Sequence, residues 1–176
     1  MTDVSEREVY LDHHATTPVD EDVLAEMEPY FTEHYANPAS KANHSYGHKA
    51  HKRIEKAREQ VADAVGARAG GEPVAKSIIF TSGATESDNF AVRGLAQHAT
   101  EEEIGNHIIT SEIEHEAIIE PCKELEEKGF EVTYLPVDEY GQVNPETVED
   151  AIRDDTFLVS IMAANNEIGT INPIGE

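Results

Sequence analysis

The sequence predicts an α/β fold, a mixed and mostly parallel sheet flanked by helices, and two observations support this. Apolar runs alternate with segments of helical spacing over residues 77–162, and repeated β-then-α order is typical of a sheet covered by helices. The apolar run at 157–162 is typical of a strand buried on both faces. With 176 residues, 39% of them hydrophobic, the chain is long enough to bury one core.

Local signals place the individual elements. Gly66 and Gly129 stand where C-terminal caps belong, and Pro145 fits the first position of a helix. Gly70-Gly71 lies in a turn cluster at 67–74. The predicted elements are helices at 20–35 and 46–65, a strand at 77–81, a helix at 85–98, a strand at 107–110, a helix at 114–128, a strand at 130–135, a helix at 145–153 and a strand at 157–162.

The segment Phe80-Thr81-Ser82-Gly83-Ala84-Thr85-Glu86-Ser87-Asp88-Asn89 carries the strongest functional signal. It joins a predicted strand to a predicted helix through a small, hydroxyl-rich turn. The first N–H groups of a helix lack intrahelical acceptors, the helix dipole favours negative charge, and a glycine lets the backbone approach an anion closely. The sequence therefore predicts a phosphate-binding turn.

Two common kinds of phosphate site are excluded by spacing. A Walker A loop needs a lysine after its glycines, and no lysine lies between Lys76 and the end of this turn. The dinucleotide fingerprint needs three glycines, and only Gly83 is present. A single phosphate held by backbone, Thr and Ser groups remains, and so does a serine-rich helix N-cap without a ligand.

This decamer resembles the phosphate-binding turn of class V, fold-type I pyridoxal 5′-phosphate (PLP) enzymes, specifically cysteine desulfurases of the NifS/IscS branch. The resemblance covers nearly all of residues 9–176 and would make residues 21–176 an incomplete PLP-binding large domain, with 1–20 as an N-terminal arm. Further segments fit that branch in order: Val9-Tyr10-Leu11-Asp12-His13-His14-Ala15-Thr16-Thr17-Pro18, Asn37-Pro38-Ala39-Ser40, Glu114-His115-Glu116-Ala117, Gly129-Phe130-Glu131-Val132 and Asn165-Asn166-Glu167-Ile168-Gly169.

The resemblance implies four cofactor-binding residues. The Ala84 backbone and Thr85 would hold the phosphate, His115 would stack on the pyridine ring and move protons as the catalytic residue, and Asn166 would hydrogen-bond the ring oxygen. The segments that contain Thr85, His115 and Asn166 each follow a predicted strand. The carboxyl ends of the strands would therefore bring them together at one end of the sheet. His115 could instead be a surface histidine at a helix N-terminus, and Asn165-Asn166 a polar turn.

Other reactive side chains are predicted to have no role. No Cys/His spacing matches a zinc pattern, so no metal is expected, and most histidines are assigned to the surface. Ser45-Tyr46-Gly47-His48-Lys49 imitates the family's lysine motif but precedes the phosphate turn, so Lys49 is expected to be a surface lysine. Cys122 lies on an apolar helix stripe and is expected to be a small buried hydrophobe.

The resemblance implies conversion of L-cysteine to L-alanine, with sulfur passed as a persulfide to an iron–sulfur scaffold or another sulfur-acceptor protein such as a tRNA-thiolation protein. In relatives, the Schiff-base lysine and the nucleophilic cysteine follow the Asn165–Gly169 segment, so a chain ending at Glu176 is expected to be a truncated, inactive form. The alternatives are another class V enzyme (selenocysteine lyase or aminotransferase) and a non-catalytic fragment. Full-length relatives are expected to be homodimers.

Composition limits the partners and the compartment. The 13 Lys+Arg residues against 36 Asp+Glu residues give a net charge of −23, which argues against nucleic acid and anionic membrane as partners. A halophilic source is expected, because salt screens such self-repulsion. One cysteine fits a reducing compartment. With no signal peptide and no membrane-length apolar run, the sequence predicts a cytoplasmic protein.

Overall fold

The computed structural model describes residues 9–13, 15–69 and 72–176, which form two compact units. One unit extends to Phe80 and the other is Thr81–Glu176. The predicted division at residue 20 does not coincide with this boundary and stays a prediction. His14 and the Gly70-Gly71 pair lie outside the described residues.

The first unit is mainly helical. Its elements are α1 (Glu21–Met27), α2 (Pro29–Thr32), a 3₁₀ turn (Pro38–Ala42), α3 (Ser45–Ala64), a two-residue antiparallel pair of strands β1 (Arg68–Ala69) and β2 (Glu72–Pro73), and a 3₁₀ turn (Ala75–Ser77). The single helix predicted at 20–35 is therefore wrong. Two helices form there because Pro29 has no N–H to continue the hydrogen-bond ladder.

Helix α3 follows its prediction closely, including the cap. Gly66 has φ +70°, the left-handed conformation expected just after a helix. Gly47 is buried against Ser40, where an added Cβ would lie 2.6 Å from the Ser40 carbonyl carbon, so this glycine is needed for packing. Lys49 is exposed, which confirms it as a surface lysine. Of the histidines assigned to the surface, His13, His34, His44 and His48 are exposed and His51 is half-buried.

The predicted strand at 77–81 is wrong. Ile78 has an extended backbone, but within the described residues this segment pairs with no other strand. Ile79 and Phe80 are 59% and 50% exposed. An apolar run becomes a buried strand only when neighbours supply a ladder and a covering layer, and sequence alone does not show whether they are present.

The second unit is a parallel α/β sheet. In chain order it contains α4 (Ala84–Glu101), β3 (His107–Ser111), α5 (Glu116–Glu126), β4 (Glu131–Leu135), α6 (Pro145–Ala151) and β5 (Thr156–Ser160). The strand order is β4-β3-β5, with β3 parallel to both neighbours. Each predicted element from residue 85 onward is confirmed, with ends shifted by a few residues. Pro145 begins α6 and Gly129 has φ +95° after α5, as expected.

Both faces of the sheet are covered around β3. Successive β3 side chains point to opposite faces, and each face packs against a different cluster of residues. Ile108 packs with Val92, Cys122 and other residues of α4 and α5. Ile109 packs with Leu135 and Val143, against Val148 of α6. Strand β5 lies at the sheet edge and Val159 is 42% exposed, so the predicted burial of both its faces is wrong.

Helices of the described residues offer no candidate for a membrane span, since none is both long and apolar enough.

Candidate functional site

The N-terminus of α4 has free hydrogen-bond donors. The first intrahelical bond runs from Ser87 N–H to Gly83 O at 3.1 Å, and no side chain caps the helix. The N–H groups of Ala84, Thr85 and Glu86 therefore have no intrahelical acceptor. The Thr85 side chain is exposed and makes no hydrogen bond within the described residues. This end of the helix has the geometry of an anion site.

The turn before α4 is held by its own side chains. The Thr81 hydroxyl lies 3.0 Å from Gly83 O and 2.7 Å from Ser87 Oγ. Glu86 Oε2 accepts from the Ser82 N–H at 2.5 Å. Hydrogen bonds from the Ser82 hydroxyl and N–H lower the pKa of Glu86, which keeps it an acceptor. These internal hydrogen bonds hold the turn in one conformation.

Gly83 is not required by the chain's own geometry. Its φ of 164° is extended backbone that any residue adopts, and an added Cβ would meet nothing within 4 Å. The close backbone approach expected of this glycine therefore concerns a ligand, and it stays a prediction.

His115 caps the N-terminus of α5. Its Nδ1 accepts from the Ala117 N–H at 3.1 Å, and the side chain is exposed. An accepting Nδ1 carries no proton, so the ring proton of the neutral form lies on Nε2. The surface position at a helix N-terminus, the alternative raised for this residue, is what the chain displays. The stacking role stays a prediction.

Asn89 joins the first turns of α4 and α5. Its Nδ2 donates to Thr85 O at 2.9 Å and to Ala117 O at 3.4 Å. The predicted phosphate-binding turn is thereby adjacent to the helix that His115 caps. Asn89 is part of the motif, but nothing local in the sequence indicates its contact with Ala117.

A cavity of about 530 Å³ lies where β3 and β5 end, lined by residues 113–116 and 165–168. It brings His115 and Asn166 together, as the strand-end argument predicted. Ala84 and Thr85 are not in its lining, and Asn89 links Thr85 to α5, the helix that begins beside the cavity. Asn166 is exposed, whereas Asn165 is 7% exposed. A second, mainly apolar cavity of about 570 Å³ beside α6 contains none of the predicted residues.

Glu114 is the residue of this site that sequence analysis missed. It is half-buried, and burial is the main reason that its pKa is raised, while hydrogen bonds from Met162 N–H and Ser111 oppose the rise and the Asp88 charge adds to it. Its position beside His115 was visible in the sequence. Its Met162 partner, 48 residues away, was not.

The lysines and the cysteine of this unit lie away from the cavity. Residues 81–176 contain two lysines, Lys123 in the last turn of α5 and Lys128 just after it. Helix α5 runs back from the carboxyl ends of the strands. Lys123 and Lys128 therefore lie toward the amino ends of the strands. Cys122 is fully buried, and burial raises its pKa to about 11, as expected for a small hydrophobe.

In the described part of the chain, no group of three His, Cys, Asp or Glu side chains could hold a metal ion.

The aminotransferase class-V family matches residues 9–176, and the chain belongs to this family. It is 51% identical over 170 residues to the cysteine desulfurase IscS of Dictyoglomus turgidum, covering 97% of this chain and 41% of that protein. The solved structure of a NifS-like protein is 46% identical with a TM-score of 0.85, covering 96% of this chain and 43% of that one. A structure of SspA in complex with cysteine is 43% identical with a TM-score of 0.82, covering 94% and 45%.

These similarities confirm the predicted NifS/IscS resemblance, the fold-type I class and PLP as the family's cofactor. The chain spans about 40% of the length of the curated relatives it matches. The residues present suit the phosphate of PLP, because the uncapped α4 offers backbone donors and Thr85 an unengaged hydroxyl.

Proposed function

We propose that this chain is the phosphate- and ring-binding part of a cysteine desulfurase, an enzyme that converts L-cysteine to L-alanine and passes the sulfur on as a persulfide. The observation that carries the proposal is the cavity at the carboxyl edge of the sheet, which His115 and Asn166 line beside the uncapped α4. The similarity to an IscS protein, and to an SspA whose structure contains cysteine, supports the same substrate class.

The proposed division of work follows from the free donors and acceptors. Ala84 N–H and the Thr85 hydroxyl bind the phosphate. His115, fixed by its Nδ1 cap, presents its ring face and keeps Nε2 for proton transfer. The Asn166 side chain orients the ring oxygen. When bound, PLP supplies an electron sink for the amino acid's bonds.

Binding of pyridoxine 5′-phosphate to the 176-residue chain tests this proposal. This probe carries the phosphate and ring of PLP but no aldehyde, so it cannot react with surface lysines. Calorimetry is expected to detect binding that pyridoxine without phosphate lacks. Thr85→Ala should weaken it about tenfold to a hundredfold, because a hydrogen bond to a charged group contributes about 1.5–3 kcal/mol. Thr85→Ser should restore it.

Matched variants at the other end of the unit serve as controls. Thr100→Ala removes a hydroxyl from the last turn of α4, where it bonds to Ala96 O. Asn106→Ala removes an exposed amide near Gly129 and is compared with Asn166→Ala. A further variant, His115→Asn, is in the site itself: it keeps a capping side chain but removes the ring. Equal losses in the control and site variants, or no binding by the wild-type chain, would contradict the proposal.

The 176 residues alone are expected to bind without catalysing sulfur transfer. No lysine of residues 81–176 reaches the cavity, and the single cysteine is buried with a raised pKa. Sulfide release from L-cysteine, measured against free PLP, should not exceed the free cofactor. Release above that level would show that a lysine and a thiol of this chain are sufficient for catalysis, and would contradict the expectation. The same assay with L-selenocysteine compares the selenocysteine lyase alternative.

We infer further that the functional protein is a cytoplasmic homodimer of a halophile that transfers sulfur to an iron–sulfur scaffold or other acceptor protein. The net charge of −23 supports the halophilic assignment. Raising KCl should increase the urea concentration needed for unfolding, and a decrease would contradict the halophilic assignment.

Exposed apolar side chains such as Phe90 support a subunit contact, and sedimentation of the functional protein would test whether it is a dimer.

A further inference from the structure

Glu114 occupies a position that the proposed chemistry does not use. One oxygen, Oε1, accepts from the Met162 N–H at 2.7 Å and from the Ser111 hydroxyl at 3.0 Å. Ser111 is the last residue of β3, and Met162 lies two residues beyond the end of β5. A single carboxylate oxygen therefore connects the ends of two neighbouring strands.

This carboxylate is held without a cation. It is half-buried, and within the described residues no lysine or arginine forms an ion pair with it. Burying a carboxylate is unfavourable unless hydrogen bonds offset the lost hydration. The Met162 N–H and the Ser111 hydroxyl supply that compensation from two separate segments. Moving the two strand ends apart would therefore leave the buried carboxylate without a donor and be unfavourable.

Asn165 forms a second connection across the same cavity. Its Nδ2 donates to Ile113 O at 3.3 Å, and its Oδ1 accepts from the N–H groups of Glu167 and Ile168 at 2.8 and 3.0 Å. All four residues of these two neighbouring pairs line the cavity, but the first of each pair also connects the segments, whereas the second has its side chain exposed. Glu114 precedes His115, and Asn165 precedes Asn166.

We propose that Glu114 is a positioning residue, whose Oε1 sets the separation of His115 and Asn166 by holding the end of β5 against the end of β3. The proposal rests on the proposed function of the cavity. Glu114 acts through the Met162 N–H and the Ser111 hydroxyl, which both donate to its Oε1. A site of this kind depends on supporting contacts that keep its side chains in place.

Three substitutions separate the reach of the side chain from its charge. Glu114→Gln keeps an acceptor at the same distance but loses the charge. Glu114→Asp keeps the charge but is one methylene shorter and does not reach both donors. Glu114→Ala loses both. A positioning role predicts that Gln behaves like the wild type and that Asp behaves like Ala. An electrostatic role predicts the reverse pairing.

The primary readout needs no cofactor. Nitroxide labels are attached through Glu116→Cys and Glu167→Cys, two exposed positions on opposite sides of the cavity, while buried Cys122 stays unlabelled. Electron paramagnetic resonance is expected to give one narrow distance distribution in the wild type and in Glu114→Gln. The distribution should broaden in Glu114→Asp and Glu114→Ala. Exchange of the Met162 amide with deuterium should accelerate in the same two variants.

Binding of pyridoxine 5′-phosphate then links position to function. Glu114→Asp and Glu114→Ala should bind it about tenfold more weakly, since a site loosened by about 1 Å loses much of its preorganised binding. Glu114→Gln should stay within about twofold of wild type on the same grounds. Unchanged distances and Met162 exchange in Glu114→Ala would overturn the proposal. Absence of probe binding in the wild type would instead overturn the proposed function and leave the distance result standing. If Glu114→Ala does not fold, the Gln and Asp pair still decides.

Discussion

One histidine begins strand β3 and another caps the helix that follows the strand, and the two side chains are held in opposite ways. His107 begins the strand and is fully buried, with Nδ1 2.7 Å from Thr156 Oγ1 and Nε2 2.8 Å from Thr133 Oγ1. His115 follows the strand, is exposed, and uses only Nδ1, as the cap of α5. The His107 ring has both nitrogens hydrogen-bonded, whereas Nε2 of His115 has no hydrogen-bond partner among the residues that the structure describes.

The difference gives His107 a structural role and leaves His115 available for the ligand-binding role proposed for it. His107 connects β3 to both neighbouring strands, because Thr133 lies on β4 and Thr156 on β5. Near it, Arg153 forms ion pairs with Glu131 and Asp155, which also link residues at the amino ends of β4 and β5. At the carboxyl ends of the strands the connecting contacts come from Glu114 and Asn165, and the His115 ring takes no part in them.

Chemical labelling should show the largest contrast. Diethyl pyrocarbonate acylates accessible neutral imidazole rings, so the exposed His115 should react readily. His107 should react at least about a hundredfold more slowly, because its labelling requires the core to open. Mass spectrometry of peptides measures both rates, with exposed His98 of α4 as an internal reference. Similar rates at His107 and His98 would show that the buried ring is accessible.

Stability should show the next largest contrast. His107→Ala removes a buried ring and takes a hydrogen-bond partner from Thr133 and from Thr156, which should lower the free energy of unfolding by about 2–4 kcal/mol. His115→Asn keeps a capping side chain and should change it by less than about 0.5 kcal/mol. Urea unfolding followed by circular dichroism measures both.

Equal destabilisation by these two substitutions would contradict the comparison, because it would make the exposed ring as important to folding as the buried one. Far-UV spectra of the two variants before urea is added would show whether each starts from the same folded state as the wild type.

The contrast between these histidines was only half visible in the sequence. His115 stands in the Glu114-His115-Glu116-Ala117 motif, so its position after a strand could be predicted. His107 was predicted only to begin a strand. Its partners lie 26 and 49 residues away in the sequence, and nothing local to residue 107 indicates which strands become its neighbours. The same reason explains why Asn166 could be predicted and Glu114 could not.

Strand predictions succeeded or failed for a related reason. Local hydrophobicity predicted β3 and β4 correctly, and both pair along their whole length. It also predicted a strand at 77–81 and burial of both faces at 157–162, which the structure does not bear out. Alternation of apolar residues indicates what a segment could bury, whereas the actual burial depends on neighbours that other parts of the chain supply.

The smallest expected effect is the pH dependence contributed by His107. Burial lowers its pKa, the charge of Arg153 lowers it further, and Asp155 and Glu131 oppose the change. A histidine in an unfolded chain has a pKa of about 6.5. Because the folded pKa is lower, the unfolded state binds more protons, so His107's contribution is complete above about pH 6.5 and is lost as the pH falls toward the folded pKa. Urea midpoints measured across this range for the wild type and His107→Gln should therefore converge on acidification.

That difference between variants is more informative than either curve. Acidification also reduces the repulsion within a chain of net charge −23, and burial raises the pKa of Glu114, so its protonation favours the folded state as the pH falls. Both effects have the opposite sign to that of His107 and are common to the two proteins. Subtracting the curves removes them and leaves the histidine's contribution. Parallel curves would mean that His107 binds protons equally in the folded and unfolded states, which its full burial between Thr133 and Thr156 argues against.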